Sequence, residues 1–233
     1  MQQIMPQQLG LLYGAFMLRQ LIDLLRIDMI FDIGANAGQY GMALRKQIGY
    51  LGPLVSFEPL PVPFLHLQAL ASKDSCWDVH CCAVSEESGR AWINMMAGDQ
   101  FSSFLFPREQ YRGRFHGQSQ VIDRIEVERI TLADAFTKSP GFGRGLLKID
   151  TQGTELHLLE AHPDTLREFS GVQMEMSIQP IYEGQPTFEM TLEKMRSWGF
   201  ALSAIFPNNE GHFPHLLEMD ALFIRQDLLP TLP

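Results

Sequence analysis

The stretch Phe31-Asp32-Ile33-Gly34-Ala35-Asn36-Ala37-Gly38-Gln39-Tyr40 decides the fold. It grows out of a short apolar segment, Met29–Ile33, that reads as a strand, and it opens onto a helix predicted over Asn36–Ile48. An acid, a glycine turn and a second glycine at a helix start suit a nucleotide-type ligand at the carboxyl end of a parallel strand. Gly34 lets the backbone turn beneath the ligand, and Gly38 lets the helix approach the sheet closely. The acid narrows the choice of ligand. Dinucleotide sites offer a third glycine and a helix N-terminus to a pyrophosphate. Asp32 repels phosphate and suits an ammonium group, which points to S-adenosyl-L-methionine, a phosphate-free ligand with a cationic amine.

Outward from this stretch, strand and helix alternate. Leu54–Glu58 reads as strand two, Pro61–Lys73 as a helix with proline in its first turn, and Trp77–Val84 as strand three. Strand four over Gly145–Ile149, a helix over Glu155–Ala161, strand five over Val172–Met176 and a helix over Thr187–Trp198 follow. Phe200–Phe206 and Ala221–Ile224 complete the strands. Short apolar strands separated by helices imply a parallel sheet covered on both faces. Before the first strand, Leu9–Leu25 carries helical periodicity at Leu11, Leu12, Ala15, Phe16, Leu18, Ile22 and Leu25. We therefore read residues 1–28 as an N-terminal helical extension and 29–233 as one α/β domain. The middle breaks the rhythm. Ala91–Met95 and Ile125–Ile130 read as extended, and Gly98–Ser119 is irregular. Its Phe101, Phe104, Phe106, Tyr111 and Phe115 lie among arginines, so the segment reads either as a lid over an acceptor or as a packed excursion or homodimer contact.

A net charge of −9 argues against a nucleic-acid partner, although Arg108, Arg112, Arg114 and Arg124 cluster in sequence. The three cysteines, Cys76, Cys81 and Cys82, make neither a CxxC pair nor a metal-ligand spacing, and read as reduced packing residues of a cytoplasmic protein. The N-terminus predicts no cleaved leader, and the apolar stretch Leu9–Leu18 is too short for a transmembrane segment.

Two further acids share the crevice with Asp32. Glu58 ends strand two, where an acid accepts hydrogen bonds from ribose hydroxyls, and Pro59 keeps it extended. Asp150 ends strand four in Lys148-Ile149-Asp150-Thr151-Gln152-Gly153-Thr154-Glu155, and Glu155 reads equally as a helix cap or a functional acid. Together, Asp32-Ile33-Gly34-Ala35-Asn36-Ala37-Gly38, Phe57-Glu58-Pro59 and the Lys148–Glu155 run resemble the FkbM family of S-adenosylmethionine-dependent methyltransferases. Thr131-Leu132-Ala133-Asp134 and Ser102-Ser103-Phe104-Leu105 are similar to further family segments. Where relatives show Asn-x-Ala after strand three, this chain has Cys81-Cys82-Ala83, which leaves backbone groups of Cys82 to Val84 to meet adenine.

The resemblance implies a Rossmann-like class I methyltransferase sheet, mostly parallel with an antiparallel last strand and helices on both faces. It implies methyl transfer from S-adenosyl-L-methionine to a hydroxyl of a sugar or natural product. Asp32 and Gly34 would hold the methionyl end, Glu58 the ribose, and Asn36 and Gly38 would shape the loop over the cofactor, with Asp150 near the methyl.

Transfer to an alcohol calls for a base or a metal. Asp150 is the first candidate base and Glu175, between Met174 and Met176, the second; Glu175 reads equally as a hydrogen-bonded residue lining the cleft. His212 and His215 lie in a loop near the same edge, where each also reads as a surface histidine. Asp150, Glu175 and a loop histidine would suit Mg²⁺, but no adjacent acid pair or histidine spacing demands a metal, and none is expected. Two other readings stay open: a non-catalytic protein that binds S-adenosylmethionine, and an NAD-dependent oxidoreductase.

Overall fold

A computed structural model describes residues 6–111, 117–139, 141–207 and 214–231. Met29, Phe31 and Ile33 of β1 (Met29–Ile33) pack into one apolar cluster, whereas Ile30 packs into another. This alternation is that of a strand buried on both faces, and it turns Asp32 toward the side of Ile30. Around β1 the chain builds a seven-stranded sheet in the order β3-β2-β1-β7-β8-β10-β9. Strands β2 (Leu54–Phe57), β3 (Trp77–His80), β7 (Gly145–Ile149) and β8 (Phe169–Ser177) run parallel to β1, each paired in parallel with its neighbour. Strand β10 (Glu218–Arg225) is antiparallel to both β8 and β9 (Phe200–Pro207). The chain leaves β1 toward β2 and β3 on one side and returns at β7 on the other. The resulting switch point is where open α/β sheets bind ligands.

Helices α1 (Pro6–Leu25), α2 (Gln39–Ala43) and α3 (Pro61–Ala71) cover one face; α4 (Leu132–Thr137), α5 (Glu155–Ala161), α6 (Pro163–Leu166) and α7 (Phe188–Ser197) serve the other. The rings of Phe31 and Phe169 meet edge to face with centroids 5.1 Å apart at the heart of the second layer. Among the described residues no helix is long and apolar enough to cross a membrane.

Four expectations need correction. The helix predicted over Asn36–Ile48 begins only at Gln39, because Asn36 (φ 47°) and Gly38 (φ 89°) are left-handed; its last part, Leu44–Ile48, widens into a π-helix. Strand three does not run through Trp77–Val84. It breaks at Cys81-Cys82, and Ala83–Ser85 leaves as β4 for a second sheet. No glycine or proline marks the break, because a tertiary partner, the Arg129–Thr131 end of β6 (Val121–Thr131), draws β4 away. The segments expected as Ala91–Met95 and Ile125–Ile130 are longer, β5 (Gly89–Met96) and β6, paired antiparallel in this second sheet of order β4-β6-β5. Finally, α1 buries Leu18, Leu21, Ile22 and Leu25 at i, i+3, i+4, i+7 spacing, whereas Leu12 and Phe16 are 56% and 58% exposed. Earlier in the helix, Tyr13 meets the sheet edge to face at Phe206 of β9, with ring centroids 6.0 Å apart.

Candidate active site

Gly34 turns the chain out of β1 with φ 75°, and no other residue fits there. A Cβ would stand 1.8 Å from the Asp150 carbonyl oxygen. The next amides are all taken: Gly34 N and Ala35 N donate to Phe57 O at 3.0 Å each, and Asn36 N donates to Glu58 Oε2 at 2.8 Å. The left-handed Asn36 steadies the turn by accepting from Ala37 N at 2.7 Å. Glu58, one residue past the end of β2, also accepts from Leu60 N through Oε1 at 2.8 Å, so one carboxylate clasps two loops. Burial pushes its pKa up to about 7, against the opposing pull of those N–H groups and Lys148. At Gly38 a Cβ would come within 3.1–3.3 Å of Leu70, Leu67 and Trp77, the close helix approach expected there.

Asp32 is fully buried and does not face the ligand crevice openly. Its Oδ2 accepts from Ser56 Oγ at 3.1 Å, which in turn accepts from Trp77 Nε1 at 3.0 Å. Its Oδ1 lies 3.0 Å from Lys148 Nζ. The cation beside this acid is therefore a lysine of the same chain, a partner that the spacing of the glycine stretch could not reveal.

Across the switch point, Asp150 N donates to Ile33 O at 3.0 Å and places the acid beyond β7, with its side chain 39% exposed. The following turn is held by Glu155, which accepts from Thr151 N at 2.8 Å and Gly153 N at 3.1 Å. Glu155 thus satisfies amides of the turn that leads into α5. Gln152, left-handed at φ 55°, was not singled out from sequence, yet it organises this end. Its Nε2 donates to Asp150 Oδ1 at 2.8 Å and to Glu175 Oε2 at 3.3 Å. Its Oε1 lies 2.9 Å from the Tyr182 hydroxyl, which is 2.9 Å from Phe101 O as well, and its carbonyl accepts from Ser103 Oγ at 2.6 Å. A non-glycine residue at positive φ beside a cleft was the only local signal, and φ is not written in a sequence.

Glu175 is buried on β8, and burial first, then Glu218, raises its pKa well above the ordinary carboxylate range. Burial likewise lifts Glu218 to about 8 and Asp220 to about 7. Both are on β10, where Asp220 pairs with Glu175 in register. His212 lies outside the described residues, as do Arg112, Arg114 and Phe115, and His215 is exposed. Among the described residues no group of three or more His, Cys, Asp or Glu is arranged to hold a metal ion.

Between these two ends lies an open cleft, about 620 Å³ when the solvent-filled space at its mouth is included. Gly34, Asn36, Glu58, Pro59, Ala83 and Asp150 line it; Asp32, Gly38, Cys82 and Glu175 are not among its lining residues. Leu60, Val84, Ile93 and Phe104 supply an apolar flank, and Asp99, Gln100 and Ser102 close it from the irregular segment. The described part of that segment, up to residue 111, is fastened to the rest of the chain. Asn94 Nδ2 donates to Leu105 O at 3.0 Å, and Arg108 N donates to Ile181 O at 2.8 Å.

The fold has counterparts among solved structures. A magnesium protoporphyrin IX methyltransferase (ChlM) from Synechocystis PCC 6803, solved with bound S-adenosylmethionine, superposes with a TM-score of 0.52 at 8% identity, over 94% of this chain and 81% of that one. A methyltransferase FkbM from Methylobacillus flagellatus gives a TM-score of 0.51 at 14% identity, over 85% and 43%. In sequence, the chain is 29% identical over 168 residues to the 31-O-demethyl-FK506 methyltransferase FkbM of Streptomyces tacrolimicus, which covers 63% of this chain and 64% of that relative. The family model of the methyltransferase FkbM domain matches residues 32–202, a span that opens at the buried acid of β1 and takes in the glycine turn, Glu58 and the Asp150 turn. By that match, over well more than half its length, the chain belongs to the FkbM methyltransferase family.

Proposed function

We propose that the cavity binds S-adenosyl-L-methionine and that the protein transfers its methyl group to a hydroxyl oxygen of a sugar or natural-product acceptor. The observation that carries this reading is the charge of the cavity wall. Glu58, Asp99 and Asp150 line it, and among the described residues no lysine or arginine does. Such a wall disfavours the pyrophosphate of NAD and suits a ligand bearing a sulfonium and an ammonium. The donor set fits the rest of that ligand: a carboxylate at Glu58 for the ribose diol, and Leu60, Val84, Ile93 and Phe104 for an adenine ring.

The bound cofactor would supply an electrophilic methyl on sulfur. The protein's part is to align the acceptor oxygen, exclude water and take the proton. The Gly34 turn would seat the methionyl end. Asp150, at the opposite end and partly exposed, would receive the hydroxyl proton while Gln152 holds its carboxylate in place. Glu175 suits that task less, because it is buried on β8 and burial disfavours its charged form. The relative whose name specifies an O-methyl position favours an oxygen acceptor.

Calorimetry tests the reading: S-adenosylhomocysteine should bind saturably to the protein and NAD should not. Binding of NAD alone would overturn it. Release of S-adenosylhomocysteine from S-adenosylmethionine on adding a macrolide or sugar alcohol would then identify the acceptor, and methylation confined to amines or carbon would refute the oxygen assignment.

A further inference from the structure

Lys148 stands in a row that crosses the sheet. Parallel register sets Ser56 and Lys148 on either side of Asp32, and Gln173 on the far side of Lys148. The ammonium is buried among oxygens: Gly34 O at 2.9 Å, Asp32 Oδ1 at 3.0 Å, Ile33 O at 3.5 Å and Asp150 Oδ2 at 3.7 Å. The Tyr40 ring lies over it at 5.4 Å, and the Tyr40 hydroxyl donates to Gln173 Oε1 at 2.9 Å. Burial works against the charge, but Asp32 and Asp150, with Asp220 farther off, outweigh it and hold the lysine protonated.

An acid at the foot of a glycine turn, left alone, would make a negative floor that any amine satisfies. Here the acid is paired with a cation at 3.0 Å, and that cation bonds the carbonyl of the turn itself. Resting on the S-adenosylmethionine reading above, we propose that Lys148 is a positioning and specificity-determining residue. It fixes the Gly34 turn and cancels Asp32, so that the site prefers the zwitterionic head of an α-amino acid to a bare amine.

Three adenosine ligands separate the effects: S-adenosylhomocysteine, its decarboxylated analogue with a lone amine, and 5′-methylthioadenosine with no head at all. Each would be titrated by calorimetry into the wild type, Lys148→Met, Asp32→Asn and the double variant. Lys148→Met bares Asp32, so S-adenosylhomocysteine should weaken at least about tenfold relative to the decarboxylated analogue, with methylthioadenosine unchanged. Asp32→Asn bares the lysine and should weaken the decarboxylated analogue most. The double variant leaves neither charge unpaired, which keeps the fold testable, and should restore the wild-type order of preference. Equal losses for all three ligands in Lys148→Met, or an unchanged ratio of the first two affinities, would overturn the proposal while leaving the cofactor reading intact. A wild type that binds none of the three would refute both.

Discussion

At the β1–β2 end of the cavity the chain holds itself with backbone groups; at the β7–β8 end it does so with side chains. The first end is made of amides from Gly34, Ala35, Asn36 and Leu60, received by one carbonyl and one carboxylate. The second depends on Gln152, whose amide joins Asp150, Glu175 and Tyr182, and on Ser103 reaching over from the irregular segment. The contrast suits a division of labour. A cofactor shared by many enzymes can be met by a rigid turn, whereas an acceptor peculiar to one enzyme is met by side chains that substitution can change.

The sharpest way to break this contrast is Gly34→Ala. The new methyl has no room beside the Asp150 carbonyl, and φ 75° strains any residue with a Cβ. We expect a loss of about 3 kcal/mol or more in stability, with S-adenosylhomocysteine binding abolished, measured by denaturant melts and calorimetry. Next comes Glu58→Gln, which removes the charge but keeps an acceptor. S-adenosylhomocysteine should weaken roughly 10- to 100-fold. An unchanged affinity would remove Glu58 from the ribose.

A pH series sharpens the same point. Burial raises Glu58 from 4.5 to about 7, so the folded state holds that proton between those values. The unliganded protein should therefore lose stability as pH rises through that window. A ligand that needs the carboxylate should bind several-fold more tightly at pH 8 than at pH 6, a slope that Glu58→Gln flattens.

The opposite end should respond differently. Gln152→Gly and Gln152→Ala both delete the amide, but only glycine accepts φ 55° without strain. The glycine variant should melt about 2–4 °C above the alanine one, corresponding to about 1 kcal/mol. Both should keep S-adenosylhomocysteine affinity within about fivefold of wild type, a difference of about 1 kcal/mol or less. A large loss of affinity would erase the distinction between the two ends. The smallest change in affinity is expected from Ser103→Ala, which gives up the hydrogen bond to Gln152 O and the one accepted from Leu105 N, about 1–2 kcal/mol in the melt.

The same contrast explains what the sequence made legible. The turn from Asp32 to Gly38 and the acid at Glu58 are close in the chain, and their chemistry can be read from residue type and spacing. The central strands were equally plain, since Met29–Ile33 and Gly145–Ile149 are apolar runs with clear ends. What escaped was set by distant partners. The departure of β4 at Cys81-Cys82 depends on β6, more than forty residues onward. The lysine beside Asp32 is fixed by sheet register, and the raised carboxyls at Glu218 and Asp220 by β10 folding back beside β8. Gln152 lies within the Lys148–Glu155 run and Tyr182 in no motif, yet each acquires its part only when three loops meet.

The second sheet leaves the main one after Cys82 and rejoins it through α4, so its strands share no ladder with the seven-stranded sheet. Its wall of Ala83, Val84 and Ile93 is nonetheless part of the cavity. A segment joined in this way is a replaceable cassette. Its length and outer surface can drift through insertion and deletion without disturbing the register of β1, β2 and β7. What any replacement must reproduce is small: a short parallel strand to carry Ala83 and Val84, and a hydroxyl where Ser103 meets Gln152. Lineages built on this frame would thus diversify fastest between residues 86 and 130 while the glycine turn stays fixed.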